Sequence, residues 1–267
     1  MIKLVVSDID GTLIPNCTGH LPDEYVDIIN KIKSLGIKFT AASGREDDSI
    51  YKLFYKIEND LYVIADDGAM VLYNHEILYD KPMDRDAVIN VCETLRATHE
   101  VQVVLAYRGG SYYFPDIDPE FKEFLKGYRI TQLELKSYDD MMDIYKIAVN
   151  HFPIEKTQAY AMKDTFEGVS NVQSSPHWLD FIPEDTSKGN ALKFIQDKYS
   201  ILPEETIVIG DSANDISMFE HAKYSYAVAT APDYVKAAAS AVIPSYTDDG
   251  PMTVFRKVVE TNAKYDN

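Results

Sequence analysis

The chain has 267 residues, 46% of them hydrophobic, which is enough for one large domain or two moderate ones with real cores and excludes a disordered polymer. Its formal charge of −17, from 43 acidic against 26 basic residues, argues against nucleic acid and anionic membrane surfaces, both of which select basic patches. A phosphate-bearing partner would need a locally positive pocket or a metal.

Two cysteines, Cys17 and Cys92, have no CxxC spacing, so they provide no disulfide framework and fit a reduced compartment. The N-terminus enters a strand at once, without a signal region. No apolar run approaches the roughly 20 residues of a membrane span. The expectation is a soluble cytoplasmic protein; the sequence sets no oligomeric state.

Along the chain, residues 2–6 read as a strand that runs into Ser7-Asp8-Ile9-Asp10-Gly11-Thr12. In an extended strand Asp8 and Asp10 share a face, where their repulsion calls for a compensating charge. Asp10-Gly11 is equally a hairpin-turn signal, although Thr12, Leu13 and Ile14 before Pro15 make a poor returning strand. Residues 22–35 predict a helix with Ile28, Ile29, Ile32 and Leu35 on one stripe, ended by Gly36; residues 37–42 predict a second strand. A helix over 47–57, a strand over 61–65 and a hairpin from 69–73 to 77–78 across Asn74-His75 complete a βαβαβ start.

Beyond Pro82 the pattern changes to strands at 101–107, 111–114 and 130–135 among helices near 85–97, 119–125 and 154–163, which reads as a separate α+β unit. From Lys188 the first rhythm returns. Helices are expected over 189–199, 215–220, 232–239 and 252–261, and strands over 206–209, 225–228 and 241–243. The predicted architecture is α/β, with a Rossmann-like doubly wound parallel sheet formed by 1–82 and 184–267 and interrupted by an insert at 83–183.

A doubly wound sheet binds at the carboxyl ends of its strands. Those ends carry Asp8-Ile9-Asp10, Ser43-Gly44-Arg45, Asp66-Asp67-Gly68 and Gly210-Asp211-Ser212. Asp8, Asp10 and Asp211, with Asp215 one helical turn on, form an all-oxygen set suited to Mg²⁺. Taken alone, Ser212 and Asp215 are also an ordinary capping box. Lys188 stands in the first turn of a helix, where the dipole disfavours a cation by up to about 1 kcal/mol; it is either drawn there by an anion or an exposed lysine beside Asp185. Ser43, followed by glycine, could offer its hydroxyl and nearby backbone N–H groups to phosphate, or cap the next helix.

In chain order, Asp8-Ile9-Asp10-Gly11-Thr12, Ser43-Gly44-Arg45, Lys188-Gly189 and Gly210-Asp211-Ser212-Ala213-Asn214-Asp215 resemble the marks of the haloacid dehalogenase (HAD) superfamily. The insert resembles the α/β cap of its Cof-like subclass. The resemblance implies a Mg²⁺-dependent phosphatase acting on small phosphorylated metabolites such as sugar phosphates. Asp8 would be the nucleophile that becomes an aspartyl-phosphate, and Asp10 the acid and base. It further implies Mg²⁺ on Asp8, the Asp10 backbone carbonyl and Asp211, with Asp215 in support, and phosphoryl oxygens on Ser43 and Lys188, with Asn214 assisting. Two departures bear on substrate contacts: Asp67-Gly68-Ala69 stands where such hydrolases often have Asn-Gly-Ala, and Ala229-Thr230-Ala231 where they often have Gly-Asn-Ala. A phosphomutase and a phospho-acceptor signalling module remain as alternatives.

The six histidines have no ligand spacing. His177-Trp178 could line a substrate pocket. Tyr107, Tyr112 and Tyr113 suit either core packing or a sugar-stacking face. Arg45 suits either a substrate contact or an ion pair.

Overall fold

The computed structural model describes residues 1–15, 20–57, 59–98, 101–128, 130–150, 166–175 and 178–263. Strands β1 (Leu4–Ser7), β2 (Lys38–Ala42) and β3 (Leu61–Ala65) arise from short, mostly apolar runs that are buried almost throughout, the pattern of strands covered on both faces. They join β12 (Thr206–Gly210), β13 (Tyr224–Val228) and β14 (Ala241–Ile243) in one parallel sheet. β1 sits at its centre, with Val5 opposite Phe39 of β2 on one side and Ile207 of β12 on the other. β4 (Met70–Tyr73) and β5 (Glu76–Asp80) extend the edge antiparallel, giving the order β14-β13-β12-β1-β2-β3-β4-β5. Asn74 and His75 turn that hairpin with φ of 51° and 67°, the paired positive values that match strand twist in a two-residue loop.

Helices cover the sheet where their apolar stripes require. α1 (Asp23–Ser34) buries Tyr25, Ile28, Ile29 and Ile32 and packs on α8 (Gly250–Asn262), where the Tyr25 and Phe255 rings meet edge to face at 6.1 Å. α2 (Asp47–Leu53), α5 (Lys188–Tyr199), the short α6 (Ile216–Phe219) and α7 (Asp233–Ala238) complete the layers.

The described residues between 85 and 183 build a second sheet with its own core. α3 (Arg85–Thr98) and α4 (Pro119–Leu125) accompany β6 (Gln102–Tyr107), β7 (Gly110–Tyr113), β8 (Thr131–Glu134), β9 (Ile144–Asn150), β10 (Val169–Ser175) and β11 (Trp178–Pro183), ordered β10-β11-β9-β6-β7-β8. Val88, Val91 and Leu95 of α3 pack with Leu105, Ile147 and Phe181 of the sheet. β9, β10 and β11 were not expected from the sequence. β9 and β11 carry a charge inside an apolar run, and β10 is a polar edge strand, so none of the three alternates cleanly. The helix expected at 154–163 lies outside the described residues, as do Cys17 and His177. Cys92 is a buried free thiol, its pKa pushed up to about 12 by burial, and so plays a packing part.

Candidate active site

β1 ends at Ser7, one residue before Asp8, so the extended-strand argument that put Asp8 and Asp10 on one face does not apply. The chain closes instead into a turn in which Leu13 N–H and Ile14 N–H both return to the Ile9 carbonyl. Gly11 at φ 82° makes that turn, and an added Cβ would lie 2.3 Å from the Asp211 carboxylate. Among the described residues no returning strand follows. The two acids take different partners as a result.

Asp8 is buried beside Lys188, whose Nζ donates to Asp8 Oδ1 at 2.8 Å and to Asp215 Oδ1 at 2.8 Å. Lys188 is 1% exposed, which rules out the solvent-exposed lysine beside Asp185. Burial opposes its charge, but Asp215 and Asp8 outweigh that and hold its pKa above the usual lysine value. Asp215 serves both readings made of it. Its Oδ1 meets Lys188, while its Oδ2 accepts the N–H groups of Asp211 and Ser212 at 2.9 and 3.0 Å, capping the turn into α6.

Oxygens of Asp8, Asp211 and Asp215 lie within 4.8 Å of one another. Three carboxylates share one ammonium, and the imbalance appears in their proton affinity: burial first, then repulsion from Asp215, raises Asp8 well above the carboxylate range and Asp211 to about 7. Asp8 Oδ2 is buried with no hydrogen-bond partner among the described residues. A hard, oxygen-seeking cation fits this set on both counts. Thr12 Oγ1 donates to Asp211 from the facing turn, at 3.3 Å.

Asp10 lies outside this cluster of carboxylates. Arg45 holds it in a bidentate pair, Nε to Oδ2 and Nη2 to Oδ1, both at 2.6 Å. Arg45 thus makes an ion pair, one of the two roles open to it. Ser43 is buried, and its Oγ accepts the Arg45 N–H at 3.1 Å. The residue before α2 is Glu46, so Ser43 is not the helix cap. Its hydroxyl hydrogen has no acceptor among the described residues.

Asn214 donates to Asp67 Oδ1 at 2.7 Å. The aspartate that replaces the expected asparagine is therefore bound to the site. Asp66 and Asp67 both hold left-handed backbone, φ 48° and 56°, a strained arrangement of the kind that collects at functional sites. Tyr107 and Tyr112 pack in the core of the second unit with ring centroids 4.6 Å apart, and Tyr113 is buried as well, which favours packing over a stacking face.

Sequence reasoning missed a second buried group of charges. Lys146 of β9 reaches the Gly44 carbonyl and lies 3.6 Å from Asp180 of β11 and 3.8 Å from Asp66. Single charges inside Ile144-Tyr145-Lys146-Ile147 and Leu179-Asp180-Phe181 were the signal, since a lone ionic residue in a buried strand must find a partner.

A doubly wound sheet whose strand ends gather these carboxylates, a lysine and a serine defines a hydrolase of the haloacid dehalogenase-like class. The model of the haloacid dehalogenase-like hydrolase family matches residues 5–255, and the chain belongs to that family. It is similar to 5-amino-6-(5-phospho-D-ribitylamino)uracil phosphatase YbjI of Escherichia coli, with 26% identity over 99% of both chains. Phosphatase YwpJ of Bacillus subtilis is 26% identical over 93% of this chain and 97% of its own. Among solved structures, a haloacid dehalogenase-like hydrolase from B. subtilis superposes with a TM-score of 0.82 at 22% identity, over 96% of this chain and 99% of that one. The HAD subclass IIB sugar phosphatase BT4131 superposes with a TM-score of 0.78 at 19% identity, over 96% and 98%. The chain is thus an enzyme of the HAD hydrolases, among relatives named as phosphatases. No described helix is long and apolar enough to cross a membrane.

Proposed function

We propose that the protein is a Mg²⁺-dependent phosphatase that hydrolyses small phosphate monoesters, sugar phosphates or similar metabolites, through an aspartyl-phosphate. The observation that carries this reading is the Lys188 ammonium shared between Asp8 and Asp215, with Asp211 beside them and Asp8 Oδ2 left without a partner. In this reading residues 1–82 and 184–267 are the catalytic core and 83–183 the cap that selects substrate. A charge of −17 and buried free Cys92 support a cytoplasmic enzyme of metabolites rather than a nucleic-acid partner.

Lys188 fixes the Asp8 carboxylate through Oδ1, and one oxygen of that carboxylate attacks phosphorus. As the ester P–O bond breaks, Asp10 gives the leaving oxygen a proton. Asp10 then takes a proton from water, whose oxygen displaces Asp8 and releases inorganic phosphate. Arg45 holds both oxygens of Asp10, so Asp10 must release one of these bonds to carry a proton while the other keeps it oriented. Ser43 and Lys188 hold phosphoryl oxygens, and Asn214 sets the near wall through Asp67. Mg²⁺ would be held by Asp8, the Asp10 carbonyl and Asp211, supported by Asp215, and would supply positive charge against the phosphoryl oxygens.

A panel of sugar, polyol, nucleotide and cofactor phosphates, assayed with and without Mg²⁺, tests the reading. The expected result is metal-dependent release of inorganic phosphate with multiple turnovers. A stable phospho-protein with a single turnover would make it an acceptor module, and phosphoryl return through a bisphosphate would make it a mutase.

The carboxylate cluster also predicts how metal-free protein responds to pH. Asp211 titrates near 7 when folded against an ordinary 3.8, so the folded state binds more protons than the unfolded one across that interval. The favourable contribution is complete below about 4 and is lost as pH rises through about 7. Melting temperature without metal is expected to fall from pH 5 to pH 8, by an amount equivalent to a few kcal/mol at roughly 1.4 kcal/mol per tenfold in proton affinity. Added Mg²⁺ should restore more of it at pH 8 than at pH 5. An equal Mg²⁺ effect at both values would remove the cluster as the metal site.

A further inference from the structure

The loop that follows β2 has nearly every backbone polar group committed. Ser43 N–H donates to the Ile64 carbonyl and the Ser43 carbonyl accepts from Asp67 N–H, at 2.9 and 3.2 Å. The Arg45 carbonyl accepts from Asp66 N–H at 3.0 Å. The peptide between Gly44 and Arg45 is held at both ends: its N–H goes to Ser43 Oγ, and its carbonyl to Lys146 Nζ. Four of these five bonds come from the core, and the fifth comes from a side chain of β9 in the inserted unit.

Lys146 bonds that carbonyl directly and makes only longer ion pairs with its carboxylates. Its Nζ is 3.6 Å from Asp180 and 3.8 Å from Asp66, both beyond hydrogen-bond length. Those carboxylates, with Asp67 and Glu46 nearby, outweigh the burial that opposes the ammonium and keep it charged. Asp180 is opposite Ala148 in the β9–β11 register, so Lys146 is its diagonal neighbour on the same face. The inserted unit thus builds a fixed, charged arm that ends on the backbone beside Ser43.

We propose that Lys146 is a positioning residue: it clamps the Gly44–Arg45 peptide, and so makes assembly of the phosphate-binding loop depend on the insert being docked on the core. The proposal rests on the phosphatase reading for its consequence in catalysis, but the clamp itself is testable without it. Without the clamp the peptide can rotate. Rotation withdraws the Arg45 N–H from Ser43 Oγ, frees the serine rotamer, and misaims both the hydroxyl and the Arg45 side chain that orients Asp10. A carbonyl held only when the insert is seated would also restrain turnover on water when it is not.

The test compares Lys146→Met and Lys146→Arg with wild-type full-length protein. The first readout is amide hydrogen exchange, which needs neither metal nor substrate. Peptides spanning 43–46 are expected to exchange about tenfold faster in Lys146→Met, with those of β1 and β12 unchanged. The second readout is kinetic. Lys146→Met should weaken inhibition by inorganic phosphate and raise KM for two esters with unlike leaving groups by the same factor, about tenfold or more. Lys146→Arg, which also donates to a carbonyl, should recover most of both effects.

Unchanged exchange at 43–46 would overturn the clamp. A KM change for one ester alone, with phosphate inhibition intact, would overturn it in favour of direct substrate contact. Faster exchange throughout the core would reduce Lys146 to a general stabilising part. Faster exchange confined to 43–46 in a protein that hydrolyses no ester would uphold the clamp while removing the phosphatase reading.

Discussion

Asp8→Asn is expected to lower kcat by roughly 10⁴-fold or more, the scale at which a covalent nucleophile is removed and only binding and electrostatic preorganisation remain. The fold should survive this change. Lys188 keeps its 2.8 Å bond to Asp215, so no buried ammonium is stranded. One negative charge leaves a cluster in which burial and Asp215 already hold the Asp8 proton affinity well above the carboxylate range. Metal-free Asp8→Asn should therefore melt at or slightly above the wild-type temperature near pH 8, where the repulsion it relieves is largest. Phosphate release and thermal melting on the same preparation decide the matter. A wild-type rate would remove Asp8 as nucleophile, and a melting temperature lowered by 10 °C or more would make it chiefly a structural counter-charge.

That prediction uses features the sequence exposed unevenly. The parallel core was legible because its strands are short, almost wholly apolar and separated by helices with single stripes, as in Leu4-Val5-Val6 and the Ile28, Ile29, Ile32 stripe of α1. That Asp8 and Asp211 meet followed from the rule that such sheets bind at strand ends, and Lys188 and Asp215 join them from helical turns. Less legible was what each group binds. That Asp10 pairs with Arg45 depends on where a turn aims a side chain 35 residues away, which periodicity does not encode. The insert was harder still. Its sheet is antiparallel except for β8, which runs parallel to β7, β10 is polar, and Lys146 and Asp180 interrupt the apolar runs that would have marked β9 and β11. Such interruptions look like errors in a strand until their partners from the other unit are known. Here they are the charges that join the two units.

Lys188→Met is expected to be the most destabilising single change in the site and to abolish useful turnover as well. The ammonium is 1% exposed and bonds two carboxylates that are themselves buried, so its loss leaves Asp8 and Asp215 without their shared counter-charge and Asp211 beside them. Removing one partner of a buried ion pair costs about 3–5 kcal/mol, here equivalent to roughly 5–15 °C in melting temperature. The cost has a pH signature. Carboxylates left in this cluster would bind protons more tightly than in the unfolded chain, so the deficit should shrink toward pH 5 and grow toward pH 8. A dication can replace the lost charge but not the lost phosphate contact, so Mg²⁺ should recover much of the stability without recovering the rate. Melting curves at pH 5 and pH 8, each with and without Mg²⁺, separate these two contributions. A deficit independent of pH and metal would mean that Lys188 contributes by packing its methylenes rather than by its charge, and the electrostatic account of the site would have to be abandoned.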